Sequence, residues 1–199
     1  MIADTATFLG QFTRHPLSVG ALVPSSATLA RDITAAVPRT GCPVVVELGP
    51  GTGAFTRAIQ ERLDGRGHHL AVELNPTFAA ALAARHPGVE VVTGDAADVD
   101  TLLATRGHRR ADVVVSGLPW AVLGAARQQT IMGGVLRTLD ADGVFTTFAY
   151  RHALVAPAAR RFRGLLAGRF DEVTVGRTVW GNLPPALVYH CRRPLSPGR

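Results

Sequence analysis

Lysine is absent from this chain: its 21 basic residues are all arginines, scattered apart from short clusters at Arg109-Arg110, Arg160-Arg161 and Arg192-Arg193. That bias reads as GC-rich coding sequence rather than as a recognition device. Cysteine is scarce, with Cys42 and Cys191 alone and at no metal-ligand spacing, so a cysteine metal centre or a disulfide framework is excluded. Both are expected beside core strands as reduced thiols, which suits a cytosolic protein. Long apolar runs are lacking as well. The most apolar stretch, residues 113 to 126, is too short to span a bilayer and is broken by Ser116, Gly117 and Pro119. No charged region followed by an apolar one opens the chain as a signal peptide would. Internal repeats, low-complexity tracts and linkers are also missing. Acidic residues are few enough to leave a net charge of +6, which favours an anionic partner such as a phospholipid surface, a phosphorylated substrate or nucleic acid.

What is present is enough for one α/β domain with a full core: 199 residues, 47% of them hydrophobic. Residues 1 to 15 carry Ile2, Phe8, Leu9 and Phe12 at roughly helical spacing and are expected to form an amphipathic helix that ends before Pro16. Such a helix can lie on a membrane interface or fold as a lid over a cleft, and its polar side is mostly Thr, Gln and Asp. Ser25-Ser26 supplies an N-cap before Leu29, Ile33 and Val37. Strands are expected at 44 to 47, 69 to 73, 89 to 93, 111 to 116, 144 to 150, 171 to 179 and 186 to 192. Helices are expected at 55 to 63, 76 to 84, 98 to 105, 121 to 138 and 153 to 167. This alternation predicts a mostly parallel, Rossmann-like sheet of seven strands, closed by an antiparallel hairpin at its C-terminal edge. Residues 194 to 199 are expected to fray.

The chain is organised around Val44-Val45-Val46-Glu47-Leu48-Gly49-Pro50-Gly51-Thr52-Gly53. A β-branched run, a turn of alternating glycines and a helical segment together describe a nucleotide-binding βα unit. A plain tight turn is a poor explanation, because three alternating glycines cost conformational entropy. Gly49-x-Gly51-x-x-Ala54 with Glu73 downstream also fits the dinucleotide fingerprint. A pyrophosphate, however, would sit at the helix N-terminus, and Glu47 would oppose it. A donor carrying an ammonium and a sulfonium, with no phosphate, instead welcomes that carboxylate. This is the chemistry of S-adenosylmethionine.

Ligands bind open parallel sheets beyond the carboxyl ends of the strands. Those ends carry Glu47, Glu73-Leu74, Asp95-Ala96, Gly117-Leu118-Pro119-Trp120 and Tyr150. Glu73 is placed to accept from both ribose hydroxyls. Asp95 is placed for the adenine amino group, Ala96 N–H for a ring nitrogen, and Leu74 to pack on the base. No metal site is expected.

Glu47-x-Gly49-x-Gly51-x-Gly53 followed by Glu73 resembles the methyl-donor site of class I methyltransferases. Phe8-Leu9 through Pro16, Val19 to Ser26, Gly117-Leu118-Pro119-Trp120, Thr147-Phe148-Ala149-Tyr150 and Val179 to Ala186 are similar to bacterial phospholipid N-methyltransferases of the soluble, peripheral type. The resemblance runs from about residue 8 to 193. It implies methylation of the amine of phosphatidylethanolamine or a similar amphiphile, in the cytoplasm, with peripheral contact at an anionic inner membrane face and no obligate protein partner. Tyr150 and Trp120 would flank the methyl position and hold a methylated ammonium on their ring faces. Tyr150 and Arg151 would meet a phosphate, and Asn182 would shape the pocket. His152 and His190 are candidate proton acceptors.

The alternatives are an rRNA adenine dimethylase, a methyltransferase of a soluble secondary metabolite, and a non-catalytic lipid-surface protein. The adenine dimethylases usually carry Asn or Asp before Leu-Pro, where this chain has Gly117, and they carry a helical RNA-binding appendix after the sheet that is not expected here.

Overall fold

A computed structural model of the chain describes residues 25–195. The expected helix at 1 to 15 and the motifs before Ser25 lie outside the described residues. Helix α1 (Ala27–Ile33) starts where the capping serine predicts, with Ser26 Oγ accepting from Leu29 N–H. Strand β1 (Val44–Leu48) leads through the glycine turn into α2 (Ala54–Leu63). Then come β2 (His68–Glu73), α3 (Pro76–Arg85), β3 (Glu90–Thr93), α4 (Val99–Ala104) and β4 (Ala111–Ser116). The chain continues with α5 (Ala125–Thr138), β5 (Leu139–Tyr150), α6 (Pro157–Ala167), β6 (Phe170–Val175) and β7 (Ala186–Pro194).

The seven strands form one sheet in the order β3-β2-β1-β4-β5-β7-β6. Strands β1 to β5 pair in parallel, and β7 runs antiparallel to both β5 and β6. The sequence-expected fold class is therefore the observed one, with the expected hairpin arranged so that β7 is inserted and β6 forms the edge. Both faces are covered, as parallel strands require. Along β1, Val45 packs with Leu29, Ile33, Phe55 and Ile59 of α1 and α2. Its neighbours Val46 and Leu48 point the other way, into the larger core with Ile131, Val135 and Phe162 of α5 and α6. Each fully buried Val, Leu or Ile contributes about 1.5–3 kcal/mol.

The strand expected at 171 to 179 ends at Val175, with Val179 left as an isolated bridge to Ala186, and four other expected boundaries move, each for a local reason. The helix expected from 121 begins at Ala125: a single 3₁₀ turn, Trp120–Val122, comes first, and Leu123 and Gly124 are extended. The helix expected from 153 begins at Pro157, because Pro157 holds Ala156 in an extended conformation (ψ 141°) behind a 3₁₀ segment, Arg151–Val155. Strand β5 begins at Leu139, paired with Ala111, and the register then shifts so that Val113 faces Val144. Residues 140 to 143, expected as a turn, are the extra residues of that irregularity. At the C-terminus, Pro194 pairs with Phe170 and Leu195 N–H donates to Arg169 O at 2.9 Å, so the start of the expected tail is held in the sheet.

The chain runs from β1 outward to β3 and then returns to lay β4 on the other side of β1. The two loops that diverge there follow β1 and β4, which makes their junction the switch point of the sheet.

Candidate functional site

At that switch point the glycine turn and the 117–119 loop touch. Gly49 takes φ +66°, and a Cβ there would lie 2.8 Å from Leu118 Cδ2. Gly117 N–H donates to Leu48 O at 2.8 Å, and a Cβ on Gly117 would lie 2.6 Å from Gly49 O. Glycine at 117 is thus a steric requirement of the junction. Gly51 (φ +54°) differs, because a Cβ there would meet nothing within 4 Å; it faces open space. Pro50 O accepts from Gly53 N–H at 2.9 Å and closes the turn.

Glu73, at the end of β2, is locked onto this turn. Its Oε2 accepts from Gly51 N–H at 3.1 Å and its Oε1 from Asn75 N–H at 2.9 Å. A carboxylate offers about four acceptor sites, so both oxygens keep capacity for a further donor. Glu73 lines a cavity of about 40 Å³ together with Gly49, Leu74, Asp95, Ala96 and Leu118. The fold thus brings the residues expected for ribose and adenine into one concave site. Asp95 is already engaged: its Oδ1 accepts from Ala97 N–H at 2.8 Å and pairs with the Arg127 guanidinium. Arg127 belongs to α5, lines the same cavity and is missed by sequence reasoning. No local pattern signals it, since it meets Asp95 only through the packing of α5 against the 96–98 turn that follows β3.

Glu47 lies beneath the turn rather than in the cavity wall. It is fully buried; Thr56 Oγ1 donates to its Oε2 at 2.7 Å, and His69 Nε2 stands 3.3 Å from the same oxygen. Its Oε1 has no protein partner. A buried acceptor left open is costly unless a ligand or water fills it, and a donor with a cationic amino end would supply what is missing. The whole set fits S-adenosylmethionine: Glu73, Leu74, Asp95 and Ala96 for its nucleoside half, and Gly49, Gly51 and Glu47 for the remainder.

A second, apolar cavity of about 90 Å³ lies on the other side of Leu118 and Pro119, which line both. Its walls include Trp120, Val122, Phe148, Tyr150, His152, Leu154 and Phe162. Tyr150 is half-buried, edge-on to Phe148 at 5.2 Å and stacked with His152 at 5.7 Å. Burial raises its pKa, so the phenol stays protonated at neutral pH.

Two expectations need correction. The sequence reading has Trp120 offering a ring face to substrate. In the structure that indole is 2% exposed, stacked on Phe162 at 4.3 Å and edge-on to Phe145, with Nε1–H donating to Ser116 Oγ at 3.0 Å. Trp120 is a core anchor whose margin forms cavity wall, because the register of β4 places Ser116 beneath it. Asn182 is likewise committed: its Oδ1 accepts from Ser26 N–H at 2.8 Å and its Nδ2 donates to Pro184 O at 2.7 Å. It fastens the 176–185 link to the start of α1. Arg151 stands exposed at the cavity rim, its guanidinium 5.1 Å above the Trp180 ring. Of the two candidate histidines, His152 lines the cavity, whereas His190 sits within β7 opposite Thr146. Among the described residues no cluster could hold a metal ion.

Comparison with known proteins agrees with this geometry. A family model described as a methyltransferase domain matches residues 45–143. An ornithine lipid N-methyltransferase of Singulisphaera acidiphila is 35% identical over 192 residues, covering 95% of this chain and 96% of that protein. Ribosomal RNA small subunit methyltransferase A of Sinorhizobium fredii is 34% identical over 117 residues, covering 55% of this chain and only 38% of the relative. Among solved structures, an O-methyltransferase from Bacillus cereus in complex with SAH superposes with a TM-score of 0.68 at 15% identity, over 94% of this chain and 91% of that one.

Proposed function

Because the chain belongs to the class I S-adenosylmethionine-dependent methyltransferases, we propose that it methylates the amine of a lipid, phosphatidylethanolamine or a similar amphiphile. The observation that carries this reading is the apolar cavity abutting the donor site, with Leu118 and Pro119 as the shared wall. An acceptor seated there approaches the donor across that wall. The full-length likeness to an ornithine lipid N-methyltransferase supports the same substrate class.

S-adenosylmethionine supplies a methyl carbon on a cationic sulfur, an excellent leaving group. The protein's work is therefore positioning and exclusion of water. Glu73 and Asp95 hold the nucleoside end at the sheet margin, and Gly49 and Gly51 let the backbone come close. The apolar walls around Tyr150 favour a neutral amine over an ammonium, since burial penalises the charged form. The neutral Tyr150 ring offers a π face to the methylated ammonium that forms. Arg151, at the rim, is placed to meet a headgroup phosphate. His152 is the wall residue able to accept the amine proton.

A ribosomal RNA acceptor is the rival raised by the partial likeness to RNA methyltransferases. Gly117 argues against it, because no carboxamide or carboxylate side chain fits where Gly49 O is approached so closely. For membrane contact, no helix among the described residues is long and apolar enough to cross a bilayer, so the reading is of peripheral contact with an anionic surface.

The test uses purified protein, labelled S-adenosylmethionine and three acceptors: vesicles with phosphatidylethanolamine, vesicles with ornithine lipid, and ribosomal RNA. Label is expected in a lipid fraction, and the two vesicle arms separate the headgroups. Label in RNA alone, or in none of the three despite tight cofactor binding, overturns the lipid reading.

A further inference from the structure

The second tryptophan is the opposite of the first. Trp180 is 66% exposed, as is Leu183 nearby at 65%, both on the 176–185 link, and Val155 at the end of the 3₁₀ segment is 76% exposed. These are not scattered. Arg151 N–H donates to Pro185 O at 2.8 Å and the Arg151 guanidinium covers the Trp180 ring, so the 151–155 segment and the link form one continuous rim. The rim borders the apolar cavity on its 151–155 side, because His152, Ala153 and Leu154 line the cavity from that segment.

The stretches of sequence that carry the rim have charge of one sign. Between Asp142 and Asp171 the chain carries Arg151, Arg160, Arg161, Arg163 and Arg169 and no carboxylate, and after Glu172 it carries no carboxylate at all. Arg160 and Arg177 are exposed, and Arg160 is drawn to the rim by donating to Val155 O at 3.1 Å. An exposed indole and aliphatic side chains ringed by arginines match an anionic bilayer surface: the apolar tips enter the interface, and the guanidiniums meet phosphates.

We propose that the rim formed by Val155, Trp180 and Leu183, with Arg160 and Arg177, docks the protein on anionic lipid and aims the cavity mouth at the bilayer. This deepens the lipid reading of the site and rests on it for the substrate, while the docking itself is tested without methyl transfer. Arg151 stacked on Trp180 keeps the indole oriented, so little side-chain freedom is lost on docking.

Intrinsic fluorescence gives the readout, since Trp120 is buried and Trp180 exposed. With vesicles of phosphatidylcholine plus phosphatidylglycerol, the full-length protein should sediment and its emission should shift to the blue. Phosphatidylcholine alone should give neither, and added salt should reverse both. Trp180→Ser with Leu183→Ser should lower vesicle partitioning about tenfold or more while leaving S-adenosylhomocysteine affinity unchanged, which reports intact folding. Arg160→Gln with Arg177→Gln should lower it and reduce its salt dependence. Sedimentation without a blue shift means the protein docks through another segment, residues 1–24 included, and overturns the proposal. So does wild-type partitioning by the Trp180/Leu183 variant, or a blue shift produced by RNA and not by anionic vesicles. Docking as described with no methyl found in lipid would instead count against the lipid-acceptor reading and leave the surface standing.

Discussion

Glu73 joins the two halves of the proposed donor site, since the carboxylate that lines the cavity also holds the glycine turn through Gly51 N–H. Replacing it with alanine removes the charged acceptor and frees two backbone donors. Glu73→Ala should therefore weaken S-adenosylhomocysteine binding by about 1–3 kcal/mol, measured by titration calorimetry; unchanged affinity would remove Glu73 from the site. The cysteines give a sharper contrast. Cys42 is exposed, whereas Cys191 is fully buried in β7 and burial pushes its thiol up to about 12. Thiolate is the reactive form, so maleimide at neutral pH should label Cys42 alone in the native protein and both cysteines after denaturation. Mass spectrometry of the labelled peptides reads this directly. The placement of single residues around one cavity was legible in the sequence when they sat at or just after strand ends, as Glu73 and Asp95 do. Arg127 was not, because its pairing with Asp95 spans 32 positions and depends on how α5 packs.

Elements were legible where periodicity and punctuation agree. Strand β4 matches its expected bounds, and α2, α3 and the capped α1 follow their apolar spacing and their Ser, Gly and Asn-Pro signals. Two of the misread bounds fall where proline or a register shift overrides the pattern, at Pro157 and along residues 139–144. Trp120 was misread for a similar reason. A strand-end aromatic looks available in sequence, but the short 3₁₀ turn after Pro119 folds it inward against Phe162 and Phe145. The 117–119 loop is the element on which both cavities depend. Gly117→Ala would drive a methyl to 2.6 Å from Gly49 O, a backbone atom that cannot swing aside. The loop and the glycine turn must then separate, at a stability cost of about 1–3 kcal/mol. Denaturant unfolding should register that loss, and calorimetry should show weakened S-adenosylhomocysteine binding. A variant with wild-type stability and affinity would mean that the junction is looser than its geometry.

Across the whole molecule, both faces of the sheet are packed with apolar side chains, and three histidines outside that core are half-buried. His68, His86 and His190 each have a lowered pKa, with burial as the leading cause and nearby positive groups adding to it: His108 for His68, Arg85 for His86 and Arg192 for His190. Glu90 and Glu47 pull the first two the other way without reversing the sign. A histidine whose folded pKa lies below its unfolded value of 6.5 binds its proton more readily in the unfolded chain. Stability is therefore fully present above that value and falls as pH drops through it toward the folded-state pKa. The Asp100–Arg137 pair shifts in the same direction but acts lower: the hydrogen bond from Arg137 holds the Asp100 carboxyl below its ordinary value of 3.8, so its contribution is present above that value and is lost only as the solution becomes more acidic than that. The melting temperature should accordingly be flat above about pH 7 and decline as the pH falls below about 6.5. Scanning calorimetry across that range checks it. His68→Gln should flatten part of the slope, because the stacked His68–His108 pair, 4.5 Å between ring centroids, places two protonatable rings face to face. A melting temperature that rises on acidification would mean that these rings gain protons on folding, with Glu90 and Glu47 outweighing burial.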